Sequence, residues 1–241
     1  CTRLCEGGQC CHVISTDNFF IDSDRYPKLP DGSPNFDSFE CLDLPLIRKC
    51  MTEVTQTGRT MLPAFDFTAG KQLLDQTPLQ VGPHDHIIIE GIHSLNPRMH
   101  AGLSPERFYR VYVNVRSTIY REEEIILTPQ DIRLTRRMIR DSAFRGYPAS
   151  MTLSKWWSIL AAEQVNIIPY RRQVEGVIDS TMWYEPCLYS HFLKRVEQSG
   201  EVQDEQEKSK LDDLLRRAER FHPIPLEEVP SGALTGEFFG I

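Results

Sequence analysis

Short apolar runs of strand length alternate along the chain with longer segments whose apolar residues recur every three or four positions. Residues 10–15 form a brief apolar run that fits a buried parallel strand. Residues 86–90, His-Ile-Ile-Ile-Glu, form the clearest buried strand, apolar through the middle and then abruptly acidic. Residues 108–115 and the pair Val177-Ile178 supply two further strands. Residues 61–81 read as a hairpin turning at Ala69-Gly70. Helical spacing predicts helices over 42–54, stopping before Gly58, and over 131–143, 151–166, 185–198 and 203–221. Between the first strand and the first helix, Pro27, Pro30, Asp31-Gly32 and Pro34 are loop chemistry. The opening residues read as the end of a helix stopped by Gly7-Gly8. From His222 onward, Pro223, Pro225 and Pro230 mark a tail lying on the body.

Strand and helix in alternation predict an α/β fold with a three-layer parallel sheet. Residues 1–199 form its core, and 200–241 add a C-terminal helix and tail. Ligands in such sheets sit at the carboxyl ends of strands. That rule selects Asp17, just past the first strand, and Glu90, at the end of the fourth. A carboxylate there can cap a helix or pair with an arginine. Two of them on strands of one sheet suit magnesium, a hard cation that takes oxygen ligands and keeps several waters.

Composition narrows the function classes. A net charge of -7 argues against nonspecific nucleic-acid binding, which needs a broad basic face. No apolar run reaches membrane-spanning length, and Arg3 and Glu6 break any signal-peptide core, so a cytoplasmic location is the default. The seven cysteines, with Cys1, Cys5, Cys10 and Cys11 clustered, match no common zinc spacing and read as small apolar residues. Against this acidic background, residues 133–145 hold five arginines in thirteen residues: Arg133, Arg136, Arg137, Arg140 and Arg145. Arg133, Arg137 and Arg140 share one helical face. Such a face is either solvated surface or a grip for phosphate oxygens, which planar guanidinium forks fit well. A magnesium site and an arginine-rich helix together describe phosphoryl transfer better than either does alone.

Several motifs occur in an order and spacing that resembles the uridine kinase and phosphoribulokinase family, most closely its bacterial nucleoside kinases. They are Ser15-Thr16-Asp17-Asn18-Phe19-Phe20, Asn35-Phe36-Asp37, Phe65-Asp66-Phe67, Ile89-Glu90-Gly91-Ile92 and the arginine helix. Phe144-Arg145-Gly146-Tyr147, Trp156 with Glu163, Asn166-Ile167-Ile168-Pro169 and Phe221-His222-Pro223-Ile224-Pro225 extend the likeness almost from end to end. The resemblance implies a P-loop kinase that moves the γ-phosphate of ATP to a nucleoside 5′-hydroxyl with Mg2+. By it, Asp17 is the general base and lies near magnesium, and Glu90 helps hold the metal. Asp37 binds ribose, while Phe20, Phe36, Phe65, Phe67 and Tyr147 line the nucleoside site. Arg137, Arg140 and Arg145 belong to a lid over the phosphates, and Arg133 and Arg136 contact the nucleotide. The implied partners are ATP and a nucleoside; a homo-oligomer is left open.

Two departures stand beside the likeness. No Gly-x-x-x-x-Gly-Lys-Ser/Thr loop occurs in these 241 residues, so the backbone amides and lysine that cradle ATP phosphates are not among them. The family pattern expects that loop ahead of Cys1, which reads as an N-terminal truncation with little activity of its own; the alternative is a catalytically inactive kinase-like binding module. Further, Gly70, Tyr147 and Lys155 stand where uridine-cytidine kinases carry a histidine, an arginine and a glutamine, which removes pyrimidine-reading groups. His93 is weighed as a substrate contact against a structural role. A related small-molecule kinase of the same superfamily is the remaining alternative.

Overall fold

In the computed structural model, which describes residues 10–29, 32–230 and 232–239, the first apolar run becomes strand β1 (Cys11–Ser15). The predicted helix end with Gly7-Gly8, and also Cys1, Cys5, Pro30 and Asp31, lie outside the described residues. The chain divides into a first unit, Cys1–Arg110 with Ala161–Gly176, and a second, Val111–Leu160 with Val177–Ile241.

In the first unit β1 runs straight into a single 3-10 turn, Thr16–Phe19. Helix α1 (Leu44–Thr57) follows the loop. Asp43 caps it, its Oδ1 accepting from Leu46 N at 3.0 Å, and Pro45 occupies the first turn, where a missing N–H costs nothing. Gly58, at φ 72, ends it in the left-handed conformation that glycine adopts without strain. Leu44, Ile47, Cys50, Met51 and Val54 form its buried stripe. The expected hairpin is β2 (Arg59–Asp66) against β3 (Lys71–Gln80). Its register breaks between Leu62 and Ala64, around Pro63, which has no N–H to give the ladder. Strand β4 (His86–Glu90) lies parallel to β1 with Glu90 opposite Ser15. Ile14, Phe19, Phe39, Leu42, Leu62, Leu79 and Met99 complete this core with the α1 stripe.

Strands β1 and β4 are less buried than their apolar sequences predict: Val13 is 53% exposed, and His86 and Glu90 are exposed. Among the described residues these two strands pair only with each other, so one pair carries faces that a wider parallel sheet would cover.

In the second unit β5 (Val111–Asn114) begins three residues later than residue 108. The short hairpin β6 (Ile119–Arg121) and β7 (Glu124–Leu127) was not expected. It turns through Glu122 at φ 57 with neither glycine nor asparagine to announce it. Helix α2 (Pro129–Phe144) starts in a capping box, with Thr128 and Asp131 each accepting the other's backbone N–H. Helix α3 (Ala149–Asn166) passes from the second unit at Leu160 to the first at Ala161. Strand β8 (Gly176–Asp179) pairs with β5. Then come α4 (Pro186–Ser199), α5 (Glu205–Ala218) and the short α6 (Gly236–Phe239) within the tail. Leu211, Leu214, Leu215 and Ala218 of α5 join Ile132, Leu134, Met138, Tyr189 and Leu193 in one core, and Phe238 of the tail packs there too. Arg217 and Lys210 of α5 hold Asp131, each at 2.7 Å. Those two cations and the Thr128 donors outweigh burial and keep the Asp131 carboxyl well below its ordinary range. No helix among the described residues is long and apolar enough to cross a membrane.

Candidate active site

Backbone register brings the two strand-end carboxylates to one edge of the first unit. Glu90 is the last residue of β4 and faces Ser15, the last of β1; Asp17 follows two residues later in the 3-10 turn. Ser15 Oγ accepts from Asp17 N at 3.4 Å and so helps turn the chain. Gly91 is required here. Its φ is 137°, and a Cβ would lie 1.8 Å from Thr16 Oγ1, so the two strand exits can approach only without a side chain. Thr16 is buried, Asp17 half-buried and Glu90 exposed. Among the described residues no group of three or more His, Cys, Asp or Glu forms a metal cluster, and Cys10, Cys11, Cys41, Cys50 and Cys187 form no disulfide. Backbone register thus puts two carboxylate residues, Asp17 and Glu90, at one strand edge. That fits magnesium, which tolerates few protein ligands and completes its shell with water and substrate oxygens.

The same loop carries the centre of an aromatic cluster. Phe20 lies 5.6 Å from Phe65 and 6.3 Å from Phe67 between ring centroids, both edge-on. Tyr26 sits on its other side at 6.1 Å and meets Phe36 edge-on at 5.8 Å. Edge-to-face contacts of this kind hold rings at fixed angles. Phe36 and Phe67 remain 46% and 59% exposed, so the cluster opens outward and is not a closed core. The hairpin tip is pinned to this loop. Ser23 N donates to Gly70 O at 2.9 Å, Gln72 N to Asp22 Oδ1 at 3.0 Å, and Lys71 Nζ to Asp22 Oδ2 at 2.9 Å. The Gln72 amide and Lys71 together lower the pKa of Asp22. Gly70 has φ 64°, and a Cβ on it would stand 2.2 Å from Ser23 Oγ, so this clasp leaves no space for a side chain at position 70.

Asp37 follows Phe36 and is half-buried; its carbonyl accepts from Asn166 Nδ2 at 3.4 Å. His93, three residues past Glu90, is buried at 1% exposure with its ring edge-on to Phe39 at 5.4 Å. The Arg98 guanidinium stacks over Phe39 at 4.8 Å. Neither His93 nitrogen reaches hydrogen-bond geometry, although Asp37 lies near enough for its charge and main chain to act on the ring. Burial outweighs Asp37 and pushes the imidazole down to about 4, so it is neutral at pH 7. Its burial gives His93 a structural setting.

The arginines of α2 lie in the second unit and fall into two kinds. Arg136 points inward. Its Nε donates to Glu185 Oε1 at 2.6 Å and one Nη to Glu185 Oε2 at 2.5 Å, with further bonds to Ser180 and the Phe238 ring beneath. Its fork is thus fully engaged inside the protein. Arg133, Arg137 and Arg140 are half-buried along the outer side of the helix. Arg137 Nε lies 3.4 Å and Arg145 Nη 3.0 Å from the carboxylate of buried Asp141, which also accepts from Thr152 Oγ1 at 3.1 Å. Tyr147, after Gly146, is 43% exposed. Lys155 is half-buried on α3.

Sequence reasoning missed Tyr26, Asp22, Asp141 and Glu185. Tyr26 and Asp22 lie in an irregular loop without periodicity, and Asp141 and Glu185 read as ordinary helix charges. An acidic residue four positions after Arg137 was the one available signal, since that spacing places side chains together on a helix.

The model of the phosphoribulokinase / uridine kinase family matches residues 27–178. A uridine kinase of Clostridium botulinum is 23% identical over 171 residues, covering 70% of this chain and 74% of its own. A uridine kinase of Ureaplasma parvum is 22% identical over 173 residues, covering 72% and 74%. A solved structure described as a possible uridine kinase from Bacillus stearothermophilus aligns with a TM-score of 0.45 at 12% identity, covering 74% of this chain and 77% of that one.

Proposed function

The chain belongs to the phosphoribulokinase / uridine kinase family, and we propose that it transfers the γ-phosphate of ATP to the 5′-hydroxyl of a nucleoside. The observation that carries this reading is the joining of two functions in one short stretch. Asp17 leaves β1 beside Glu90 of β4, and Phe20, three residues on, is the centre of an outward-opening ring cluster. A flat base rests on the rings while the sugar hydroxyl meets the carboxylate. Asp17 accepts the 5′-hydroxyl proton and so raises the nucleophilicity of that oxygen. Asp37, beside Phe36, binds the ribose hydroxyls and fixes the distance from base to nucleophile. Asp17 and Glu90 would hold Mg2+, which supplies charge neutralisation on the phosphate oxygens. In α2, Arg137 and Arg145 would exchange Asp141 for phosphate oxygens, with Arg140 and Arg133 on the same helix and Tyr147 beyond its end. Arg136, already engaged by Glu185, contributes by holding the helix.

The Gly70 clasp supports broad base acceptance, because position 70 cannot carry a side chain that reads a base edge. The test is phosphorylation of a panel of purine nucleosides, pyrimidine nucleosides and sugar phosphates by the full-length protein with Mg-ATP. We expect at least one purine nucleoside to be used comparably to uridine. A thousandfold preference for uridine and cytidine would refute the base-tolerant site, and turnover of sugar phosphates alone would refute the nucleoside reading. A second reading is a nucleoside-binding module without catalysis. Nucleoside binding with no transfer by the full-length protein would establish it.

A further inference from the structure

The tip of the β2–β3 hairpin is held by more than its own ladder. The pairing skips from Leu62 opposite Thr77 to Ala64 opposite Leu73, so Pro63 alone faces Leu74, Asp75 and Gln76. Asp75 takes φ 54° there, in the left-handed region, and Leu74 is 56% exposed. An irregularity of this kind bends a strand and interrupts the ladder. The distal part, residues 64–73, therefore needs a second hold to fix its direction. That part carries Phe65 and Phe67, whose rings meet Phe20 edge-on. Asp22, two residues beyond Phe20, supplies the hold: its Oδ1 accepts from Gln72 N at 3.0 Å and its Oδ2 from Lys71 Nζ at 2.9 Å. Gln72 lies directly opposite Phe65 in the register, and Lys71 opposite Asp66. One carboxylate thus ties the loop that carries Phe20 to the strand pair that carries Phe65.

We propose that Asp22 is a positioning residue of the nucleoside site, holding the distal hairpin against Phe20 so that the rings stand in place before a base arrives. This rests on the nucleoside reading above and deepens it. Of the two bonds, the one from the amide matters more. The side chains of Lys71 and Asp22 are 49% and 33% exposed, and water screens a surface pair of that kind to little net effect. The Gln72 amide, by contrast, commits the strand itself to the bond. Asp24 lies 3.5 Å from Lys71 Nζ and keeps that ammonium paired when Asp22 is removed. Without the clasp only a fraction of molecules hold the rings together, and the apparent Kd of a nucleoside rises by the inverse of that fraction. The loss is consequently the same for every base.

The experiment is calorimetric titration of the full-length protein with uridine and adenosine, without ATP, together with amide hydrogen exchange on the same samples. Asp22→Ala removes both bonds, Asp22→Asn keeps an acceptor for the Gln72 amide, and Lys71→Met removes the ion pair alone. We expect Asp22→Ala to weaken uridine and adenosine by one common factor, roughly tenfold. Lys71→Met should cost less than about threefold, with Asp22→Asn between the two. The Ser23 amide, which donates to Gly70 O and not to Asp22, should exchange faster in Asp22→Ala while the slowest core amides keep their rates. Asp22→Asn carries the same test if Asp22→Ala does not fold. Affinities unchanged within about twofold would overturn the role of Asp22 and leave the nucleoside reading intact. A loss confined to one base, or one matched by faster exchange throughout the core, would also overturn it. Failure of wild type to bind either nucleoside would overturn both.

Discussion

Replacing Arg136 by methionine should destabilise the protein without touching the chemistry. The side chain is 8% exposed and meets a carboxylate, Glu185, that is 1% exposed. Both guanidinium-to-carboxylate bonds are short, at 2.6 and 2.5 Å, and the Tyr189 hydroxyl donates to the same carboxylate at 2.7 Å. Methionine fills much of the volume but leaves Glu185 charged, buried and short of its main partner, a situation that costs about 3–5 kcal/mol. At ~2–4 °C per kcal/mol for a domain of this size, the midpoint should fall by about 6–20 °C. Adding Glu185→Leu removes the orphaned charge, so the double variant should recover much of the loss. Urea and thermal unfolding followed by circular dichroism measure both variants and the coupling between the two sites. At a temperature where Arg136→Met is folded, its kcat should lie within about threefold of wild type. A loss of stability below ~1 kcal/mol combined with a hundredfold drop in kcat would refute this, and would return Arg136 to the phosphate-binding set.

Asp17→Asn should lower kcat by about a hundredfold or more with nucleoside Kd nearly unchanged, as expected for a lost general base; near-normal turnover at saturating substrate would remove Asp17 from that role. His93 yields a pH effect. Folded, it binds a proton only near pH 4, against 6.5 for an unperturbed imidazole, so the unfolded chain binds more protons between these values. Stability therefore falls as pH drops through that window, by up to ~3 kcal/mol. His93→Phe should flatten this part of the stability–pH curve, and an unaltered curve would show that other groups cause it. Arg140→Ala should depress kcat strongly at constant nucleoside Kd, and Arg140→Lys should recover part of the rate, because an ammonium keeps the charge but loses the planar fork. A solvated surface arginine would leave kcat within about twofold in both.

Local chemistry determined much of this protein before any folding was considered. Asp43, Pro45 and Gly58 bound α1; Thr128, Pro129 and Asp131 start α2; and the hairpin turns through Gly70 as its sequence indicates. Such features are legible because each depends on neighbours within a few residues. The places in the fold of Asp17 and Glu90 were legible for a related reason: strand ends fix where they emerge. The sequence also suggested that β4 was wholly buried and that Arg136 stood with the other arginines, and here tertiary structure decided differently. Helical spacing places Arg136 on α2 but not what α2 faces; Glu185, forty-nine residues on, turns its side chain inward. Tyr26 was invisible for the same cause. Nothing in an irregular loop announces that a ring will pack against both Phe20 and Phe36. Periodicity and caps act along the chain, whereas burial, ion pairing and ring packing are set by residues remote in sequence, and only folding brings those together.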